Sequence, residues 1–465
     1  MLDSKNEIKN IILITIDSLR ADHLSCLGYQ RKITPNMDEL AKKGILFSQM
    51  ISNGSGTPSA VPPIMTSTYP LMYGGYESIS RERITIAEVL KKYNYSTAAF
   101  HSNTYLSRFY GYNRGFDVFY DDLIYEKDRK KNKIFAHVNR KLNSIYKILS
   151  NYASAAVTLK KPVNWYLPYM SANLLNQKAI SWFRENNPER FFLWMHYMDV
   201  HTPYMPPEKF VKEINEDLTR YQVLKANKYF SKSKEISKKD LDNLMDLYDA
   251  GIKYMDSAIF SFISQLETDG FMKDTMVIIT ADHGEEFMEH GDLNHHSKLY
   301  DELIHVPLII YAPDHINDPK VIHNLVEHLD IAPTILNALG IKKFDNFLGE
   351  SLLPLIDKEE NDDKGVISET SDPPNVLKID PQLRKTSYRT FNWKYIHYAN
   401  KVDELYNVLK DPHETTNLVD VEKDIAGELY KKILDHIDME NRHKLNLEKE
   451  IIQKRIGKLK IKGKI

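Results

Sequence analysis

"NIILITID", residues 10–17, decides the fold. Ile and Leu fill it without the in-and-out alternation of a half-exposed strand, so both faces are covered, as in a strand inside a parallel sheet. Asp17 then sets a carboxylate at its carboxyl end, the edge at which open α/β sheets collect ligands. The pattern returns in "FFLWMHYMDVH" (191–201) and "MVIITADHGEE" (276–286), each an apolar run that closes on acids and histidines. Between them, "TPNMDELAKKG" (34–44) opens on a threonine cap and a proline and closes on a glycine, a helix with both ends signalled. "ITIAEVLKKYNYSTAAFHSN" (84–103) reads as a helix feeding a further strand. Strands alternating with helices predict an α/β fold, a mixed but mainly parallel sheet flanked by helices.

Around that core, 465 residues with 42% hydrophobic content would allow three units at roughly 150 residues each. The patterning supports two. A catalytic domain is expected over residues 1–355, with helical insertions at about 120–183 and 205–250. After "HLDIAPTILNALGI" and the acidic linker "DKEENDDKG", the segments "KTSYRTFNWKYIHY" and "DELYNV" and a last helix predict a smaller α+β subdomain over residues 366–465 with a short antiparallel sheet. The net charge of −2 gives no global field toward nucleic acid, and the basic tail "KRIGKLKIKGKI" reads as a solvated helix end. Cys26 is the only cysteine, which excludes an intrachain disulfide and leaves a metal to carboxylate, imidazole and hydroxyl ligands. No apolar run approaches the ~20 residues that span a bilayer, and "MLDSKNEIKN" leads into a run too short for a signal-peptide core. The expected address is cytoplasmic, and the oligomeric state is open.

Acids and histidines gather at the strand ends: Asp17; His196, Asp199 and His201; Asp282 and His283; His295 and His296. Any one alone reads as a capping acid or a hydrogen-bonded histidine. Together, four segments deliver oxygen and nitrogen ligands to one sheet edge, as a divalent cation such as Ca²⁺, Mg²⁺, Mn²⁺ or Zn²⁺ requires, whereas clustered acids without a cation repel one another.

Nine segments then occur in a familiar order: "ILITIDSLRADHLSCLGY", "TPNMDELAKKGILF", "TSTYP", "MDVHTPY", "ITADHGEE", "LYDELIHVPLIIY", "LDIAPTIL", "LGESL" and "ELYNVLKDPHETTNL". With these motifs the chain resembles the sulfatase family of the alkaline phosphatase superfamily over almost its whole length. The resemblance implies an alkaline-phosphatase-like sheet carrying a metal-dependent nucleophile, followed by a smaller C-terminal domain.

In that family a Cys/Ser-x-Pro-x-Arg nucleophile motif lies twelve residues before the tyrosine of "TGxYP". Counting back from Tyr69 reaches Thr57, in "SNGSGTPSAVPPIMTSTYP" (52–70). Sulfatases carry there a cysteine or serine converted to formylglycine; this chain has neither, Val61 replaces the arginine, and Ser18 replaces the second acid after Asp17. Threonine-bearing branches of the superfamily, the pyrophosphatase/phosphodiesterases and the phosphoethanolamine and glycerophosphate transferases, resemble the set Asp17, Thr57, Asp282 and His283. A hydroxyl bound to a divalent cation loses its proton more readily and can attack a tetrahedral phosphorus in line. Ser59 is the competing hydroxyl, and either residue would also serve as a helix N-cap.

The resemblance places His201 against the transferred group or its leaving oxygen, and His296 near the position of a family lysine; either is a candidate general acid. His295, Lys298 and Asn103 are candidate substrate contacts. Asp199, His201 and His295 or His296 would form a second metal site if the enzyme used two cations. Arg20 is expected to order its own loop, and His101, which like Asn103 follows a strand, reads as facing the site. Three functions follow: a phosphate-ester hydrolase or transferase acting on a small-molecule or saccharide ester, favoured by Thr57; a sulfatase acting on a sulfated sugar or another sulfate ester; and a noncatalytic binding protein, disfavoured because the ligand set is intact.

Overall fold

Residues Asn10–Ile16 form β1, every residue of it buried, in the middle of an eight-stranded sheet. The strands are β1, β2 (Ile45–Ile51), β3 (Ser96–His101), β4 (Val118–Tyr120), β5 (Phe191–Tyr197), β6 (Thr275–Ala281), β9 (His305–Tyr311) and β10 (Lys320–Glu327), in the spatial order β10-β2-β9-β6-β1-β5-β3-β4. Only β9 runs antiparallel to its neighbours. A two-stranded ribbon, β7 (Glu286–Phe287) and β8 (Leu293–Asn294), follows β6. The computed structural model describes residues 7–73, 75, 78–122, 169–228, 236–357, 364–372 and 380–461.

Register sets up the chemistry. Ile16 of β1 is opposite Tyr197 of β5 and Ala281 of β6, so Asp17 and Asp282 leave adjacent strands at the same level. Ile11, Ile12, Leu13, Ile14 and Ile16 are fully buried, each contributing roughly 1.5–3 kcal/mol of burial. A charged side chain at Ile14 would be stranded without a partner between two sheet neighbours.

The helix Pro35–Lys43 matches its expected bounds, with two differences of mechanism. Thr34 does not cap it; its Oγ1 accepts from Ser25 N at 3.0 Å and donates to Asp38 Oδ1 at 3.1 Å. Gly44 is extended rather than left-handed, and glycine is required because a Cβ there would lie 2.3 Å from the Ile310 carbonyl oxygen. The helix Ile86–Lys92 begins with a capping box between Thr85 and Glu88.

Of the expected insertions, the first falls mainly on residues 123–168, outside the described ones; its described end holds the start of the helix Ala172–Asn186. Residues 205–250 carry the helices Glu208–Ile214 and Arg220–Ala226 and the start of Lys238–Thr268. The C-terminal part holds a second, antiparallel sheet: β11 (Val366–Ser371), β12 (Arg384–Arg389), β13 (Lys394–Tyr398) and β14 (Glu404–Tyr406). The last helix, Lys423–Ile461, packs Ala426, Leu429 and Ile433 on Ile367, Tyr395 and Leu405. β11 docks on the catalytic body through Glu369 N to Asn53 O, 2.8 Å, and Ser368 Oγ to Ser52 O, 2.6 Å. Among the described residues no helix is long and apolar enough to cross a membrane.

Candidate active site

Three connections leave the carboxyl edge of the sheet and converge. Asp17 follows β1, Asp282 and His283 follow β6, and Thr57 opens the buried helix Thr57–Thr66 after β2. Thr57 Oγ1 lies 3.3 Å from Asp17 Oδ2, to which it donates, and 3.4 Å from His283 Nε2. His283 Nδ1 is 2.8 Å from the Gly284 carbonyl, which can only accept, so that nitrogen carries the proton and Nε2 presents a lone pair to the site. His283 Nε2 is 3.6 Å from both Asp17 Oδ1 and Asp282 Oδ2. All these side chains are buried.

The fit to a cation rests on one atom. Asp282 Oδ1 accepts from Ser18 N at 3.2 Å and from His283 N at 2.8 Å, but the buried Oδ2 has no hydrogen-bond partner. An orphaned buried carboxylate oxygen costs several kcal/mol unless a cation completes it. Asp17, Asp282 and His283 offer ligand atoms within 4.8 Å of one another, and Thr57 lies beside them, so the donor set fits a divalent metal held by oxygens and one imidazole.

Residues behind Asp17 hold its carboxylate in place. Ser18, at a positive φ of 62°, donates its hydroxyl to Asp17 Oδ1 at 2.9 Å while its N–H serves Asp282. Asn103, expected to contact substrate, donates to Asp17 Oδ2 at 2.8 Å and also borders the cavity. His196 stands behind the site, Nδ1 on Thr15 Oγ1 at 2.8 Å and Nε2 3.3 Å from Asp17 Oδ2. Burial alone would raise the Asp17 carboxyl; the facing imidazoles of His201, His196 and His283 outweigh it and hold it well below the usual range.

Thr57 opens into a cavity of about 500 Å³ bordered by Ser59, Asn103, Tyr105, His201, His295 and His296, with Thr370 of β11 reaching in from the second sheet. The described lining residues include no lysine or arginine. Burial lowers His201, only partly offset by Asp17; its Nδ1 lies 2.5 Å from the Thr202 carbonyl, leaving Nε2 for the cavity. His295 is pushed up to about 9, because Glu285 outweighs the effect of burial. His296 sits at the exposed rim.

Other expected residues are not brought in. Lys298 bonds Glu286 at 2.8 Å, Asp292 at 3.1 Å and the His290 carbonyl, so it is spent on neighbouring acids rather than on substrate. Asp199 caps the helix Ala172–Asn186 by accepting from Ala172 N, and burial raises its carboxyl to about 7; it does not join His201 and His295 in a second metal cluster. His101 packs between Phe119 and Trp194, away from the lining. Arg20 holds its loop to Asp22, Glu289 and the Glu285 carbonyl. Ser59 Oγ donates to the Gly56 carbonyl at 3.0 Å. In the sequence His196 is marked only as a polar residue inside an apolar strand and Glu285 only as the first acid after "DHG", while nothing local sets Tyr204 apart.

Comparison with known proteins agrees with this arrangement. A family model described as Sulfatase matches residues 9–341, and one described as N-sulphoglucosamine sulphohydrolase, C-terminal, matches residues 289–441. The chain is 24% identical over 443 residues to Arylsulfatase K of Gallus gallus, covering 88% of this chain and 78% of that one. It is 25% identical over 470 residues to an arylsulfatase of Clostridium perfringens, covering 92% of each. Among solved structures, the phosphonate monoester hydrolase of Agrobacterium radiobacter aligns with a TM-score of 0.71 at 20% identity, over 94% of this chain and 96% of that one. A protein solved with its substrate D-glucosamine-2-N,6-O-disulfate aligns at 0.69 and 19%, over 95% and 99%. Three of these four proteins are named for, or solved with, sulfate esters, and one is a phosphonate monoester hydrolase. With the motifs, the sheet order and the family match over most of its length, this chain belongs to the sulfatase family of the alkaline phosphatase superfamily and is an ester hydrolase of that lineage.

Proposed function

We propose that this hydrolase cleaves a phosphate ester of a small molecule or saccharide with Thr57 Oγ1 as nucleophile. The observation that carries the proposal is the place of Thr57, buried at 3.3 Å from Asp17 and 3.4 Å from His283, where the family's formylglycine precursor would stand. Cys26, the only cysteine, lies in the Ser25–Leu27 turn, outside the cavity lining. A formylglycine hydrate releases its sulfate by collapsing to the aldehyde. Threonine has one oxygen on Cβ and cannot do this, so a second attack must fall on the transferred centre itself, the course of phosphoryl transfer by two in-line displacements.

Asp17, Thr57, Asp282 and His283 would hold the cation, which when bound lowers the pKa of a neighbouring hydroxyl and offsets charge developing on the ester oxygens. Thr57 Oγ1 forms the bond to phosphorus as the ester C–O–P linkage breaks on the phosphorus side. His201, kept neutral by burial and with its Nδ1–H on the Thr202 carbonyl, turns the Nε2 lone pair to the cavity, takes up the proton that Thr57 sheds and passes it to the departing oxygen. Water or an acceptor hydroxyl then displaces Thr57.

A second reading is a sulfate ester on a sugar, which the names of the arylsulfatase relatives and the disulfated glucosamine bound to a structural neighbour favour. Paired assays separate them: bis-(4-nitrophenyl) phosphate and 4-nitrophenyl phosphate against 4-nitrophenyl sulfate, each with divalent cation. Sulfate turnover well above phosphate would overturn the first reading. Rapid quench and mass spectrometry should find the phosphoryl group on the Thr57 peptide; finding it on Ser59 would refute the nucleophile.

A further inference from the structure

The loop after His283 carries two consecutive acids outside the cation set, and both are completely buried. Glu286 is accounted for by Lys298 and by the backbone N–H groups of His290 and Asp292. Glu285 has a different environment. Its Oε2 accepts from the buried Tyr204 hydroxyl at 2.8 Å, and its Oε1 lies 3.2 Å from His295 Nδ1. Its backbone is pinned at both ends, N–H to the Glu302 carbonyl at 3.0 Å and C=O from Arg20 Nη1 at 3.0 Å. A carboxylate fixed on both oxygens and on its backbone cannot swing away.

This fixes the imidazole in turn. With Nδ1 on a carboxylate, Nε2 is the only nitrogen His295 has left for a ligand. Cδ2, the carbon beside Nε2, is 4.0 Å from where a Cβ on Gly56 would lie, one residue before Thr57. The ring centroid is 4.4 Å from that of His283 and 5.0 Å from that of His201, so the Nε2 edge borders the cavity at the nucleophile. Lys298 and Arg20, the other cations near the loop, are engaged with acids.

We infer that His295 meets the oxygens of the transferred group through Nε2, and that Glu285, backed by Tyr204, is the positioning residue that holds the ring in that attitude. The inference rests on the Thr57 reading for where the reacting group sits, and it holds whether the centre is phosphorus or sulfur.

The test uses the full chain with divalent cation and the variants H295A, E285A, E285Q, Y204F and E285A/H295A. Activity is measured on whichever paired aryl ester the parent turns over, and the affinity of inorganic phosphate and inorganic sulfate by calorimetry. H295A and E285A should each lower kcat/KM about 100-fold, the upper end for loss of a group that orients a site residue, and weaken anion binding with metal content unchanged. E285Q should recover part, because its amide oxygen still accepts from Nδ1–H, and Y204F should lose less than about tenfold. In the H295A background, E285A should add less than about twofold, the mark of two residues acting as one unit. Multiplying losses would overturn the inference, as would an E285A protein that melts earlier but binds anions and turns over like the parent. If E285A does not fold, E285Q and Y204F carry the test. If the parent turns over neither ester, the Thr57 reading fails separately, and equal anion affinity in H295A and parent would then overturn this one.

Discussion

Two buried clusters in this chain hold the same donor set, two carboxylates and an imidazole with ligand atoms within 4.8 Å, yet their chemistry is opposite. At the sheet edge, Asp17 and Asp282 meet only hydroxyls, amides and imidazoles, and Asp282 Oδ2 accepts no hydrogen bond, its nearest imidazole nitrogen, His283 Nε2, lying 3.6 Å away. Below the second sheet, Glu369 and Glu440 flank Arg384, which donates to both, with His436 Nε2 3.0 Å from Glu369. The second cluster carries its own cation and closes the last helix onto β11 and β12. Counting ligand types does not distinguish the two; the presence of a side-chain cation already among the carboxylates does.

The sharpest way to break the comparison is at the proposed nucleophile, Thr57. Thr57→Val keeps the shape and removes the attacking oxygen, so turnover of aryl esters should fall on the order of 10⁴-fold or more, whereas the loss of a mere helix cap would cost about 1 kcal/mol of stability. Thr57→Ser should keep a measurable part of the rate. Next in size, Asp282→Ala should abolish bound metal, read by elemental analysis, with turnover lost and the circular dichroism unchanged. Metal content equal to the parent's would mean that the sheet-edge cluster is not a cation site.

The second cluster can be pushed toward the first. Arg384→Met leaves Glu369 and Glu440 facing each other without their guanidinium, at an expected cost of about 3–5 kcal/mol in denaturant unfolding. Added divalent cation should restore part of that in the variant and nothing at this cluster in the parent. A variant as stable as its parent would show that the ion pairs contribute little.

A smaller effect concerns pH. Burial, with Glu369 nearby, raises Glu440 from 4.5 to about 7, so its contribution is complete below about 4.5 and lost as pH rises through about 7. Burial lowers His436, but Glu369 outweighs it and raises the imidazole, whose contribution is complete below 6.5 and also lost on the alkaline side. Burial raises Glu369, but Arg384 and His436 outweigh it and hold it at about 2, so its contribution is lost only as pH falls from 4.5 toward that value. Between pH 6 and 8 the last helix should therefore loosen with rising pH, by about 1–3 kcal/mol, and Glu440→Gln should flatten the dependence of the melting temperature. The least expected effect is at Ser59, whose hydroxyl is spent on the Gly56 carbonyl: Ser59→Ala should keep activity within about threefold and change stability by about 1 kcal/mol or less.

Much of this was legible along the chain because the signals are local. Unbroken apolar runs ending on acids mark parallel strands, so Asp17, Asp282 and His283 could be placed at one edge before any geometry was known, and the resemblance to the family's nucleophile motif, counted back from Tyr69, pointed to Thr57 within a stretch of unreactive residues. Local signals also misled. Lys298 carries the right charge near the right motif, and only the fold shows that Glu286 and Asp292 hold it; Asp199 sits at a strand end like Asp17 and Asp282, but its carboxylate serves the first turn of a helix some 27 residues earlier in the chain.

By itself the sequence determined the strand pattern, the family and the residue types available for catalysis, since periodicity and spacing are properties of short segments. The tertiary structure alone decided which charged groups neutralise one another. Glu285 meets Tyr204 across 81 positions and Asn103 meets Asp17 across 86, contacts that exist only once the sheet has brought distant loops together. A side chain's role here depends on whether a partner has already satisfied it, and that is settled by packing.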